Sequence, residues 1–269
     1  LKTTDKEFFR IINYINKKYG ISLIGKRALV EKRLDNVLTK TQCSSTDEFM
    51  DLIEKEEYEL LDNILISEML TNHTFFMRES SHFDILNQII LPKLKKCINQ
   101  QEGIRIWSAA TSSGQEAYTI NMILQDYFGE EAKAWTMKVV GTDISQTMLD
   151  KAIAGDYTKE EMETVPDKWK SKYFIRKING DYKINDYVKA NIVFKKQNLI
   201  EPIFFDKNFH VIFLRNVLIY FDIGIVNKIV DKVADFLEEG GYLFIGLTEI
   251  LDINSTKLKY IQPSVYRKL

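Results

Sequence analysis

Cysteine is almost missing from this chain: Cys43 and Cys97 are the only two among 269 residues. Two thiols cannot build a disulfide framework and fit a reducing compartment, each as a small buried hydrophobe. No stretch of 18 apolar residues occurs, which excludes a hydrophobic transmembrane helix and leaves no direct membrane insertion to expect. The start shows no signal-peptide pattern, so a cytoplasmic location is the expectation. An excess of one charge is also lacking: the formal net charge is -1, which gives no sign of a nucleic-acid partner. The three histidines, His73, His82 and His210, have no ligand spacing, and HExxH, CxxC and DxD-like clusters are absent, so no metal is expected. The chain has no GxSxG elbow and no GxxxxGK[ST] loop, which argues against serine hydrolysis and ATP hydrolysis. What is present, 45% hydrophobic and 28% charged residues, is the make-up of an ordinary globule rather than a disordered or fibrous chain.

The first quarter differs in texture from the rest. Residues 1–70 have helical periodicity in FFRIINYI, LIGKRALVEKRLDNVL and FMDLIEKEEYELLDNILISEML, and the Ser/Thr cluster from Thr41 to Thr46 with Asp47 marks a helix start. Residues 1–40 hold ten Lys/Arg against four Asp/Glu, whereas 47–68 hold nine Asp/Glu against one Lys, so basic and acidic sections hide behind the small net charge. In the second helical run Leu23, Val30, Leu34 and Val37 share one stripe, flanked by Lys26 and Arg33 on one side and Arg27 on the other. These cations read either as snorkelling around a core face or as a docking face for an acidic partner. Residues 81–99 read as a connecting helix that Pro92 kinks or breaks.

From residue 104 strands and helices alternate. The strands are IRIWSAA, WTMKVVGTD, ANIVFKKQN, NFHVIFLRN and GYLFIGL; the helices run from Gln115 to Tyr127, from Ser145 to about Ile153, and over 223–238 up to Gly240-Gly241. That pattern predicts an α/β fold with a doubly wound, mostly parallel sheet. Residues 155–190 break the alternation and read as an insertion. The expected division is a small all-helical domain over 1–80 and an α/β domain over 81–269, with a small antiparallel β-subdomain at about 168–195.

The most informative stretch is Ile104–Ile120, an apolar strand, a Thr/Ser/Gly turn and a helix opening with Gln115-Glu116. Such a strand–turn–helix places backbone N–H groups beside a crevice where nucleotide-like cofactors bind. The turn has a single glycine, Gly114, and no GxGxxG, which favours a cofactor without phosphates. Ligands of doubly wound sheets bind outside the carboxyl ends of the strands, and polar residues stand at five such ends: Ala110–Gly114 with Glu116, Asp143, Asn198, Arg215-Asn216 with Tyr220 beyond, and Thr248-Glu249. Asp143 is placed to accept both ribose hydroxyls, or else to cap the next helix, a task Ser145 can perform. Glu116 either favours its helix N-terminus or meets a cationic, amino-bearing part of the cofactor. Asn198 and Asn216 read equally as adenine contacts or strand-end turn residues.

Five blocks, TNHTFFMRE (71–79), WSAATSSGQEAYT (107–119), GTDIS (141–145), Asn198-Leu199 and LRNVLIYFD (214–222), with GLTE (246–249) as a weaker sixth, resemble the CheR-type chemotaxis receptor methyltransferases. Order and spacing agree over almost the entire chain. The resemblance implies a class I methyltransferase-like fold and transfer of a methyl group from S-adenosylmethionine to glutamate side chains of chemoreceptors, leaving S-adenosylhomocysteine. It implies cofactor contacts at Asn72, Thr74, Arg78, Glu116, Asp143, Asn198, Leu199, Asn216 and Val217, with Arg78 and Tyr220 in the active site. It also implies that the N-terminal domain meets the receptors' cytoplasmic methylation helices through Lys26, Arg27 and Arg33, in association with membrane-bound or soluble receptor arrays and other chemotaxis array proteins. The chain departs from the family in reading Met77 where phenylalanine is usual, Leu214 for a frequent cysteine, Gln115-Glu116-Ala117 for Glu-Glu-Pro, and GLTE for GHSE. The loop Arg176–Lys183 is short, which implies action independent of a receptor C-terminal pentapeptide. The rival expectations are a methyltransferase for another protein or a small molecule, and a non-catalytic array adaptor that retains the fold.

Overall fold

The computed structural model describes residues 2–55, 58–252 and 257–269. Four helices open the chain: α1 (Asp5–Tyr19), α2 (Arg27–Thr41), α3 (Thr46–Ile53) and α4 (Glu59–Met69). α1 starts with a reciprocal cap, in which the Glu7 N–H donates to Thr4 Oγ1 and the Thr4 N–H to Glu7 Oε2, and it ends at the left-handed Gly20. Ile11, Ile15, Val30, Leu34, Val37, Phe49, Met50 and Leu65 from the four helices are fully buried against one another.

Two expectations need correction in this region. α2 begins at Arg27 rather than Leu23, because the chain turns at Ile24-Gly25; Leu23 still reaches the core from that turn. The long run 49–70 is two helices, since α3 ends at Ile53 and α4 starts at Glu59; Glu56 and Glu57, between them, lie outside the described residues. Folding also interleaves the two charge sections. Arg10 pairs with Asp47, Asp51 and Glu54, Lys18 with Asp62, and Lys40 with Glu68.

The connecting helix comprises α5 (Ser80–Ile85), one π-helical turn (Leu86–Ile90) and α6 (Leu91–Cys97), with Pro92 near the start of α6. Proline clashes with the carbonyl four residues back and has no N–H to give it. Widening the preceding turn relieves that conflict, so the break takes the form of a π turn.

Five strands build the parallel core: β1 (Ile104–Ala109) and β2 (Met137–Asp143), then, after an insertion, the strands Ile192–Lys196, Phe209–Leu214 and Leu237–Ile245. The insertion contributes β3 (Asp156–Tyr157), β4 (Phe174–Arg176) and β5 (Tyr182–Ile184), so the later three are β6, β7 and β8. A terminal hairpin, β9 (Leu258–Gln262) and β10 (Val265–Lys268), completes a seven-stranded sheet in the order β6-β2-β1-β7-β8-β10-β9, where β10 runs antiparallel to β8. This hairpin was not anticipated from the sequence. The small antiparallel sheet, β3-β5-β4, extends from Asp156 to Ile184, while Ile192–Lys196 belongs to the large sheet. The remaining helices are α7 (Gln115–Phe128), α8 (Gln146–Ala154), α9 (Asp167–Tyr173), α10 (Asp186–Lys189) and α11 (Ile223–Asp235). α11 stops at Asp235, short of Gly240-Gly241. That pair instead lies inside β8, where the register against β7 shifts and Gly240 adopts φ 76°.

β1 and β7 are buried along their whole length, as central strands covered on both faces must be. On one face Phe213 stacks on Phe244 at 4.6 Å; on the other Trp107 lies among Phe205, Phe209 and Phe236. From β1 the chain proceeds outward to β2 and β6 on one side and later to β7 and β8 on the other. The crevice at that change of direction lies outside the carboxyl ends of β1 and β7. Among the described residues no helix is long and apolar enough to cross a membrane.

Candidate active site

A cleft partly open to solvent occupies that crevice. Its floor is made of strand ends and its cover is the segment Leu70–Arg78, which joins the helical domain to α5. Asn72, Thr74, Arg78, Glu116, Asp143, Asn198, Leu199, Asn216, Val217 and Tyr220 all line it. Residues scattered over 149 positions of sequence are therefore gathered around one space.

The turn after β1 supplies the first wall. Ala110, Ser112 and Gly114 have φ of 68°, 52° and 91°, an alternation of left-handed residues in which only one is glycine. L-residues pay roughly 1–2 kcal/mol for that conformation. The alternation keeps the turn tight enough for the Ser112 N–H to donate to Asp143 Oδ2 at 2.8 Å. Asp143 also accepts the Ser145 N–H at 2.9 Å, while Ser145 caps α8 through its own hydroxyl. Burial pushes the Asp143 carboxyl upward, against the pull of these N–H donors. The Ile144 N–H donates to it as well, and the carboxylate keeps acceptor capacity for a ligand hydroxyl.

Glu116, on the first turn of α7, accepts Ser108 Oγ at 2.7 Å, and its other oxygen lies 3.3 Å from Arg215 Nη1. Burial raises its pKa, while the Arg215 charge lowers it. Arg215, with a side chain only 2% exposed, also donates Nη2 to the Arg78 carbonyl at 2.5 Å and meets Glu79 Oε2 at 3.1 Å. Its Nε and Nη1 are buried with no hydrogen-bond partner. Asn216 is left-handed at φ 56°; its amide donates to Glu79 Oε1 at 3.0 Å and its N–H to Glu249 Oε2 at 2.9 Å. Glu249 further collects the N–H groups of Gly246 and Leu218 at 2.6 and 2.7 Å, so one carboxylate shapes both turns. Leu247, which stands where the family frequently has histidine, is half exposed at the rim.

Arg78 sits between the left-handed Met77 and Glu79, and its Nη1 donates to the His73 carbonyl at 2.5 Å. Tyr220 donates its hydroxyl to the Thr71 carbonyl at 3.1 Å. Asn72 braces the same segment, donating to the Ser67 carbonyl, while its own carbonyl accepts Ser112 Oγ. Asn198 is already engaged: its amide donates to the Lys18 carbonyl and Glu201, and its oxygen accepts the Ile200 N–H at 3.3 Å.

The three basic residues of α2 and its approach are not at the cavity. Arg27 is paired with Asp5 and donates to the Thr3 carbonyl. Arg33 braces the covering segment through the Met69 carbonyl and Thr71 Oγ1, and lines a neighbouring polar groove with Lys32 and Lys151. Lys26 places its ammonium over the Tyr220 ring at 5.7 Å. Sequence reading placed Arg215 and Glu249 at ligand-bearing strand ends without a specific contact and gave Glu79 no role, although each stood in a quoted block. Their significance lies in contacts between distant segments, Arg215 with Glu79 and Glu249 with the Asn216 and Leu218 N–H groups, for which spacing carries no signal.

These side chains suit S-adenosylmethionine. Unpaired guanidinium N–H groups of Arg215 call for an anionic acceptor such as a carboxylate; partly buried Glu116 suits an ammonium; Asp143 suits ribose hydroxyls. The sheet order and this pocket define a class I methyltransferase dependent on S-adenosylmethionine. Residues 72–267 match the family model described as CheR methyltransferase, SAM binding domain, and residues 6–69 match the CheR methyltransferase, all-alpha domain. A chemotaxis protein methyltransferase of Borreliella burgdorferi is 37% identical over 272 residues, covering 100% of this chain and 96% of the relative. Chemotaxis protein methyltransferase 1 of Pseudomonas aeruginosa is 32% identical, covering 98% and 97%. Its namesake in Vibrio cholerae is 31% identical, covering 99% and 98%. The chain belongs to the CheR methyltransferase family.

Proposed function

We propose that this enzyme methylates glutamate side chains on the cytoplasmic methylation helices of chemoreceptors, forming the methyl esters used in chemotactic adaptation. The observation that carries this reading is the gathering of Arg78 and Tyr220 with the cofactor-lining residues at one cavity mouth, beneath a segment supplied by the helical domain. Bound S-adenosylmethionine supplies a methyl group activated by the sulfonium. Asp143, Glu116 and the strand-end residues hold the cofactor, with Asn198 and Leu199 packing beside it. Arg78 and Tyr220 orient the incoming carboxylate without exchanging protons. A glutamate has a reference pKa near ~4.3 and is already an anion at neutral pH, so no strong general base is needed. Positioning and exclusion of water supply the rate enhancement.

Receptor docking is assigned to the α2 side of the helical domain. Lys26, beside Tyr220, is the cation best placed to meet an acidic acceptor segment, whereas Arg27 and Arg33 act there through the elements they brace. The β4–β5 hairpin closes tightly, with Lys177 N–H donating to Asp181 O at 2.7 Å, which supports action without a receptor C-terminal pentapeptide. The test is transfer of labelled methyl from S-adenosylmethionine to chemoreceptor fragments, followed by mild base. Base-labile label on glutamate is the expected result. Base-stable label would indicate another acceptor chemistry, and no transfer to any fragment would leave the adaptor reading.

A further inference from the structure

We propose that Glu79 is a positioning residue of the cofactor pocket, setting Arg215 and Asn216 so that Glu116 remains available to the cofactor's amino end. Its carboxylate meets four residues in three parts of the chain. Oε1 accepts Asn216 Nδ2 at 3.0 Å and Oε2 lies 3.1 Å from Arg215 Nη2, so both residues at the end of β7 are held. The Leu247 N–H after β8 also donates to it, and His82 Nδ1 of α5 lies 3.5 Å away. Glu79 itself is left-handed at φ 55° and follows Arg78 directly, so the same anchor fixes the turn that presents Arg78.

The decisive geometry is at Arg215. Its guanidinium stands between two partly buried carboxylates, Glu79 Oε2 at 3.1 Å and Glu116 Oε2 at 3.3 Å, as an ion pair with each and a hydrogen bond with neither. Nη2 donates to the Arg78 carbonyl beside Glu79, and Nη1, on the Glu116 side, has no hydrogen-bond partner. Guanidinium–carboxylate pairs favour a two-point fork when free to form one. The Glu79 charge opposes that of Glu116 across Arg215 and holds the guanidinium back from forming that fork with Glu116. Removing the Glu79 charge lets Arg215 close on Glu116, which then competes with the cofactor's ammonium.

This inference rests on the cofactor and not on the identity of the acceptor, so calorimetric titration with S-adenosylmethionine tests it apart from methyl transfer. Glu79→Gln keeps the shape and an acceptor for Asn216 while removing the charge; its affinity is expected to fall about tenfold or more, the scale of a charge-assisted hydrogen bond. Glu79→Asp keeps the charge but cannot span Arg215 and Asn216 together, and its affinity is expected to fall several-fold. KM for the cofactor should rise in both by a larger factor than KM for the receptor fragment, a split that a general loss of stability does not produce. Thermal unfolding without cofactor identifies the folded variants. Parent-like cofactor affinity in folded Glu79→Gln overturns the proposal. Should that variant not fold, parent-like affinity in Glu79→Asp overturns it on the same criterion.

Discussion

Arg78 is presented by a backbone that no regular element would give it. Met77 and Glu79 on either side are both left-handed, and a residue in such a conformation stores about 1–3 kcal/mol that surrounding contacts must offset. Those contacts are visible: Thr164 Oγ1 donates to the Phe76 carbonyl at 2.7 Å and Arg215 to the Arg78 carbonyl at 2.5 Å. Phe76 itself is fully buried against Tyr157 and Phe174. The outcome expected for Arg78→Ala is a turnover roughly 10- to 150-fold lower at saturating cofactor, from loss of about 1.5–3 kcal/mol of charge-assisted bonding. Full turnover together with parent-like cofactor affinity would remove Arg78 from the active site. Residues of this kind differ in how far sequence reveals them. Asp143 was legible because the tip of a parallel strand is a ligand position in any doubly wound sheet. Arg215 stood equally close to a strand end, but its meaning depends on two carboxylates located 136 and 99 positions earlier in the chain.

The strand–turn–helix from β1 to α7 works as a unit. Gly114 is left-handed, and a Cβ there would come within 2.8 Å of Ala152 Cβ on α8, so the turn and α8 are in contact without room for a side chain. Gly114→Ala should destabilise the fold by roughly 2–4 kcal/mol, combining left-handed strain with overpacking. Urea titration measures this, and a change under about 0.5 kcal/mol, typical of a neutral surface site, would show that the turn relaxes freely. The same element explains what its sequence concealed. The sequence shows a single glycine in this turn, whereas Ala110 and Ser112 also adopt the left-handed conformation. Their side chains are small enough to be carried there when β1, β2 and the Asp143 carboxylate hold the backbone. Element ends were otherwise the weak point. The helix start moved from Leu23 to Arg27, and Gly240-Gly241 proved to interrupt a strand rather than stop a helix.

Across the molecule, the helical and α/β regions are tied at the cavity. Ile21 bridges to Phe221, Asn198 donates to the Lys18 carbonyl, and Lys196 pairs with Glu59. Global stability also carries a pH dependence from two buried imidazoles. His82 and His210 are 1% and 5% exposed, and burial, with a neighbouring Arg215 or Arg105 charge, lowers each from 6.5 to about 4. A depressed folded-state pKa means that the unfolded chain takes up protons first. The contribution is therefore complete above pH 6.5 and is lost as pH falls toward 4, by about 3 kcal/mol per histidine. Glu116, Asp143 and Glu249, shifted upward by burial, act in the opposite sense on acidification. Comparing His82→Leu with the parent isolates the imidazole: stability by urea unfolding should decline less between pH 7 and pH 5. An equal decline would show that His82 is not the titrating group.

Local pattern was enough to determine the alternation of strands and helices, the helical opening region, and the strand tips where a cofactor had to bind. Those features follow from residue periodicity and from backbone geometry common to every parallel sheet. The resemblance in the quoted blocks pointed onward to the cofactor and the reaction. Only the tertiary structure decided how Glu79, Arg215 and Glu116 share charge, which α2 cations are committed to internal partners, and that the C-terminal hairpin extends the sheet. Each of these depends on contacts between residues far apart in the chain, where burial and the balance of neighbouring charges, rather than local propensity, set the outcome.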